Sequence, residues 1–191
     1  MNLPNWLTLL RVVLSFLLIV CLLTPGFDAK LLAVGTFLVA CLTDLWDGRI
    51  ARSKGLVTDF GVLMDPIADK ILVLSAFVSF VQLGVAPAWM VVLIATREFL
   101  VTGLRLFALG KGQVLPAEAA GKHKTVSQMV AISVTLLFLL FREAVAPKPR
   151  GPSWILAGQA GIWYLMLLTV CLTLTSGVSF FWKHRRMIIN L

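Results

Sequence analysis

From Thr43 to Lys70 the chain reads TDLWDGRIARSKGLVTDFGVLMDPIADK, a stretch of five aspartates, four of which are grouped where two apolar segments meet. Asp44 and Asp47 are three residues apart, and Asp65 and Asp69 are four apart. On helices, each pair therefore shares one face. The flanking runs, LLAVGTFLVACLT before and ILVLSAFVSFVQL after, make both segments candidate membrane helices. Acidic side chains in such segments are costly and mark functional sites.

Four carboxylates brought together near a membrane surface repel one another, which leaves protonation or bound cations as the resolution. The cluster contains no Cys or His, so hard divalent ions with oxygen ligands fit it, Mg²⁺ or Mn²⁺ rather than zinc. Gly48 and Ala51 lie on the carboxylate-bearing side of the first helix, and Gly61 sits one turn before Asp65, leaving space for a ligand. Arg52, two turns beyond Asp44, would face a phosphate held there and can bind it bidentately. A phosphate ester bridged by two divalent ions is what two-metal phosphoryl transfer requires. Two alternatives stand beside this reading: the aspartates pair with Arg49, Arg52, Lys54 and Lys70, or they line the ion path of a cation transporter. Simple pairing does not account for the interleaved small residues.

Working outward, the 191 residues are 59% hydrophobic and only 14% charged, with a mean hydropathy of +0.94. These values exclude a water-soluble fold and predict a multi-pass membrane protein. Spans are expected at roughly 6–24, 31–49, 60–82, 87–109, 125–142 and 153–182. Breakers separate them: Thr24-Pro25-Gly26, Gly84 with Pro87, and Pro147, Pro149 and Pro152. Each span must be helical, because lipid offers no partner for backbone groups and no alternating barrel pattern is visible. The expected architecture is all-α, six transmembrane helices in one domain over residues 1–191. The first run has no basic stretch before it and no small-residue cleavage site after it, so it is expected to be a mature helix.

Basic residues set the orientation. Arg49, Arg52, Lys54, Arg105, Lys111, Lys122, Lys124, Lys183, Arg185 and Arg186 fall on one side, against Lys30, Arg142, Lys148 and Arg150 on the other. Both termini and the aspartate cluster are therefore expected on the cytoplasmic face, where the net charge of +8 also favours anionic lipid headgroups. Cys21, Cys41 and Cys171 lack a paired spacing and read as small packing residues. His123 and His184 read as interfacial.

The pattern Asp44-x-x-Asp47-Gly48-x-x-Ala51-Arg52, eight residues, Gly61-x-x-x-Asp65-x-x-x-Asp69 resembles the full signature of the CDP-alcohol phosphotransferases, with all eight signature residues present. The resemblance implies a six-span fold and a CMP-releasing transfer in which an acceptor hydroxyl attacks the β-phosphorus of a CDP-linked lipid. It implies that Asp44, Asp47, Asp65 and Asp69 hold two Mg²⁺ or Mn²⁺ ions and that Asp69 is also the general base. Gly48, Ala51, Arg52, Thr58 and Gly61 would border the CDP group. Pro4-Asn5-Trp6-Leu7-Thr8 looks like the segment that closes over the nucleotide in relatives, which adds Asn5 and Thr8, although both also suit an ordinary helix cap. A homodimer is implied as well.

The acceptor is read from the second half of the chain. Arg97, Arg105, Lys122 and Lys124 are expected to form a pocket for a doubly charged phosphate, which suits glycerol 3-phosphate better than a neutral alcohol. Arg97 lies deep in its span and needs a partner, and Glu98 is expected to point away from it by about 100°. The blocks REFLVTGLR and GKHKTVSQ resemble those of bacterial phosphatidylglycerophosphate synthases within the family, implying CDP-diacylglycerol as donor and the bacterial inner membrane as location. Inositol phosphate, serine and phosphatidylglycerol remain as other acceptors.

Overall fold

The structure, a computed structural model, describes residues 3–54, 59–113, 119–145 and 153–189. Side chains of residues 3–5, 45–54, 59–63, 119, 120, 122, 153 and 186–189 lie outside that description. Six helices follow one another: α1 (Leu3–Leu23), α2 (Phe27–Lys54), α3 (Asp59–Gln82), α4 (Ala88–Gly110), α5 (Ala119–Ala144) and α6 (Ser153–Ile189). The expected all-α, six-helix order is present. The longest helix is α6, whose 37 residues span about 55 Å at helical rise. That exceeds the roughly 30 Å of a hydrocarbon core, so the basic tail continues the helix beyond the apolar run. Arg185 lies over the Trp182 ring there, 4.7 Å from its centroid.

α1 packs against both α2 and α3. Thr8, Arg11, Ser15, Leu18 and Leu22 are buried along one seam, spaced alternately by three and four residues, with Cys21 buried beside Leu22. The first half of that seam is polar and the second apolar. Leu18 and Leu22 join Phe37 of α2, Leu72, Phe77 and Phe80 of α3, Ile94 of α4 and Ile132 of α5 in one core. Small residues on these helices, including Ala33, Ala40, Ala76 and Ala131, let the backbones approach closely.

The corners carry their own hydrogen-bond donors. Lys30, counted above among the charges of the sparse face, is buried, and its Nζ donates to Leu22 O at 2.7 Å and Thr24 O at 2.6 Å. It thereby caps carbonyls that the end of α1 leaves open. At the end of α3, Gly84 takes φ 69° while Val85 N donates to Phe80 O and Gly84 N to Val81 O, both at 3.0 Å. This is the glycine-terminated helix end, and Pro87 then opens α4.

α5 packs on α6, and α4 on both α3 and α6. Phe138 of α5 lies against Gly158, where an added Cβ would overlap the ring. Outward faces are greasy: Phe16, Leu32, Phe99, Leu156 and Trp182 are all exposed. Among the described residues, Trp6–Leu23, His123–Ala144 and Trp154–Arg185 are apolar enough by length and composition to cross a membrane. α4 is interrupted by Arg97 and Glu98, which turn inward and are buried. Its lipid-facing side stays apolar.

Candidate active site

The described aspartates are held from α1 and by a lysine neighbour. Arg11, 1% exposed, places Nη1 2.9 Å from Asp44 Oδ1, while Asp44 itself is 47% exposed. Thr8 Oγ1, one turn earlier on the same seam, donates to Asp65 Oδ1. One helix thus fixes a carboxylate on α2 and another on α3. Asp69 Oδ2 accepts from Lys70 Nζ at 2.9 Å. The Asp44 carboxylate interacts electrostatically with both Asp69 and Asp65, and Asp44 and Asp69 line one cavity of about 410 Å³.

That cavity is mostly apolar, with Phe37, Leu38, Leu72 and Met129 in its wall. Leu38 is more than half exposed, so the cavity reaches the lipid-facing flank of α2. A second cavity, about 450 Å³, is lined by Lys70, Arg97, Arg105 and Lys124, with Glu98 and Thr102. Among the described residues, four cations meet one carboxylate there. Thr125 lines both cavities and marks where they adjoin.

Glu98 is the centre of the polar cavity's network. Its Oε2 accepts from Lys70 Nζ at 2.9 Å, and its Oε1 accepts from Lys124 Nζ and from Gln128 Nε2 at 3.2 Å. Arg97 Nη1 also approaches Oε1, at 3.4 Å, which corrects the expectation that Glu98 turns away. Two long side chains on successive positions can curl toward each other although their Cβ atoms diverge. The shorter Arg97 bond runs from Nη2 to Ser176 Oγ on α6, at 2.9 Å. Gly177 beside it lets α6 approach, since an added Cβ would meet Arg97 Cγ at 3.0 Å. Arg105 lies over Phe180, 5.1 Å from the ring centroid.

A sequence model of the family described as CDP-alcohol phosphatidyltransferase matches residues 1–182. The chain belongs to that family. A Bacillus subtilis relative named CDP-diacylglycerol–glycerol-3-phosphate 3-phosphatidyltransferase is 44% identical over 158 residues, covering 76% of this chain and 81% of its own length. A Rickettsia bellii protein of the same name is 36% identical over 184 residues, covering 94% and 93%. A Mycobacterium tuberculosis protein named probable phosphatidylglycerophosphate synthase is 45% identical over 139 residues, covering 71% and 66%.

Of the residues expected from the sequence, the structure brings Asp44 and Asp69 of the signature to one cavity and Arg97, Arg105 and Lys124 of the acceptor pocket to the other. Thr58 and the side chains of Asn5, Asp47, Arg52 and Lys122 lie outside the described residues, as do the surroundings of Gly48, Ala51 and Gly61. Among the described residues no three Asp, Glu, His or Cys side chains converge closely enough to hold an ion. The donor chemistry still suits a hard divalent cation: carboxylates of α2 and α3 border one cavity, and all offer oxygen.

Sequence reasoning missed Arg11, the Glu98 hub, Gln128 and Ser176. Arg11 did leave a signal, as a lone arginine inside an apolar run. His184 is buried, its ring 4.6 Å from that of Phe180. Among the cysteines, Cys21 is buried in the core whereas Cys171 is exposed.

Proposed function

We propose that this protein transfers the phosphatidyl group of CDP-diacylglycerol to sn-glycerol 3-phosphate, giving phosphatidylglycerophosphate and CMP, a step of phosphatidylglycerol and cardiolipin synthesis. The observation that carries this reading is the convergence of Lys70, Arg97, Arg105 and Lys124 on one cavity adjoining the aspartate-lined one. A surplus of positive charge suits a phosphate-bearing alcohol over serine. The names of the relatives support the same donor and acceptor.

In this reading the lipid enters along the apolar cavity, and the acceptor phosphate rests among the cations of the polar one. The acceptor hydroxyl oxygen bonds to the β-phosphorus, the bond from that phosphorus to the CMP oxygen breaks, and the hydroxyl proton passes to Asp69. Asp44, Asp47, Asp65 and Asp69 would hold the metal ions, Mg²⁺ or Mn²⁺, which would neutralise the pyrophosphate and the departing CMP. Arg11 and Thr8 orient Asp44 and Asp65. Gly48, Ala51 and Gly61 leave room for the CDP group, and Asn5, Arg52 and Thr58 contact it. The protein works as a homodimer in the bacterial inner membrane, with both termini and the site on the cytoplasmic side, as the distribution of basic residues favours.

Purified protein incubated with CDP-diacylglycerol, Mg²⁺ and each alcohol in turn, with CMP release followed, tests the assignment. Turnover is expected with glycerol 3-phosphate. No CMP with that acceptor, but CMP with inositol phosphate, serine or phosphatidylglycerol, would reassign the acceptor within the family. Divalent-ion uptake into liposomes without any lipid product would favour the transporter alternative.

A further inference from the structure

Glu98 has no place among the metal ligands, yet it is 1% exposed in the middle of a helix that otherwise shows lipid an apolar face. An ionised carboxylate buried there is costly unless every lone pair is used. Its two oxygens are used unequally. Oε1 accepts from Lys124 and Gln128 on α5, with Arg97 nearby. Oε2 accepts from Lys70 of α3.

Lys70 is divided in turn, with Nζ 2.9 Å from Glu98 Oε2 and 2.9 Å from Asp69 Oδ2. Asp69 borders the apolar cavity and Lys70 the polar one, so this side-chain chain runs from one to the other. Asp69 and Lys70 are adjacent in sequence and, with no second anion nearby, would close into a simple ion pair. That pair would draw the ammonium away from the polar cavity, where the acceptor phosphate is proposed to rest.

We propose that Glu98 is a positioning residue for the transfer: it draws the Lys70 ammonium toward the polar cavity, sharing it between the acceptor phosphate site and Asp69. The inference rests on the acceptor reading given above. Glu98 touches neither reacting atom and acts through Lys70. Neutralising the neighbouring lysines is therefore a secondary role. The distinction can be measured.

Glu98→Gln, Glu98→Asp, Lys124→Met and the double variant Glu98→Gln with Lys124→Met are compared with wild type in detergent, varying donor and acceptor separately. Glu98→Gln is expected to lower kcat about ten- to a hundred-fold, the range for a displaced reacting group, with the KM for CDP-diacylglycerol within about twofold. Glu98→Asp should recover part of that loss. The double variant guards against a Glu98→Gln protein that fails to fold, and, because Lys124 also lines the acceptor cavity, its kcat is read against that of Lys124→Met alone, below which it should fall. An unchanged kcat in Glu98→Gln, or a double variant no slower than Lys124→Met alone, overturns the proposal by reducing Glu98 to a counter-charge. A wild-type protein inactive with glycerol 3-phosphate would instead refute the acceptor reading.

Discussion

Asp69 and Arg105 stand on opposite sides of the transfer, and substitution should separate their roles. Asp69→Asn keeps the shape and removes the proton acceptor, so CMP release should fall about 10²- to 10⁴-fold while CDP-lipid binding, measured by equilibrium titration, largely survives. A wild-type rate would refute the base assignment. Arg105→Ala should raise the KM for glycerol 3-phosphate by about tenfold or more and leave the donor KM alone. Lys124→Ala is the less clean test, because Lys124 also donates to Glu98. Chelating divalent ions with EDTA should abolish turnover, and Mg²⁺ or Mn²⁺ should restore it. The aspartates were legible because four acidic residues at helical spacing leave a local pattern. The partners of Arg11 and Glu98 were not, since Arg11 meets Asp44 on another helix and Glu98 meets residues 26 and 30 positions away. No window short enough to show periodicity contains both members of such a pair.

Helices were easier to find than their ends and contacts. Apolar length and Gly or Pro breakers located all six, whereas the extension of α6 to Ile189 was hidden by its polar composition. Lys30 gives a test at this scale, because its ammonium serves the end of α1 from the next helix. Lys30→Met should cost about 1–3 kcal/mol, the penalty for carbonyls left without a donor. The loss would be read as a lower unfolding midpoint in detergent, with kcat and both KM values unchanged. A fall in kcat at full stability would mean that the corner communicates with the site. Gly158→Val should also destabilise, by about 1–3 kcal/mol, because its side chain would enter the space of the Phe138 ring. If the variant unfolds like wild type, α5 and α6 are not held by that close approach.

At the scale of the whole molecule, an apolar exterior and an apolar core enclose a small set of buried charges, including Arg11, Arg97, Glu98 and Lys124, at the two cavities. Family membership was readable from eight positions, but the division into two cavities required helices distant in sequence to be assembled first. The proposed orientation predicts that Lys111→Cys in intact cells resists an impermeant maleimide, while Val145→Cys is labelled; the reverse pattern would invert the topology. Both positions are exposed, so access depends on the side of the membrane. Thr125, shared by both cavities, has a consequence for how the rate should be counted. If one substrate arrives dissolved in the bilayer and the other dissolved in water, the two obey different concentration scales. Adding inert detergent at fixed total CDP-diacylglycerol should slow turnover by thinning the donor within its micelles, while leaving half-saturation by the water-borne substrate where it was.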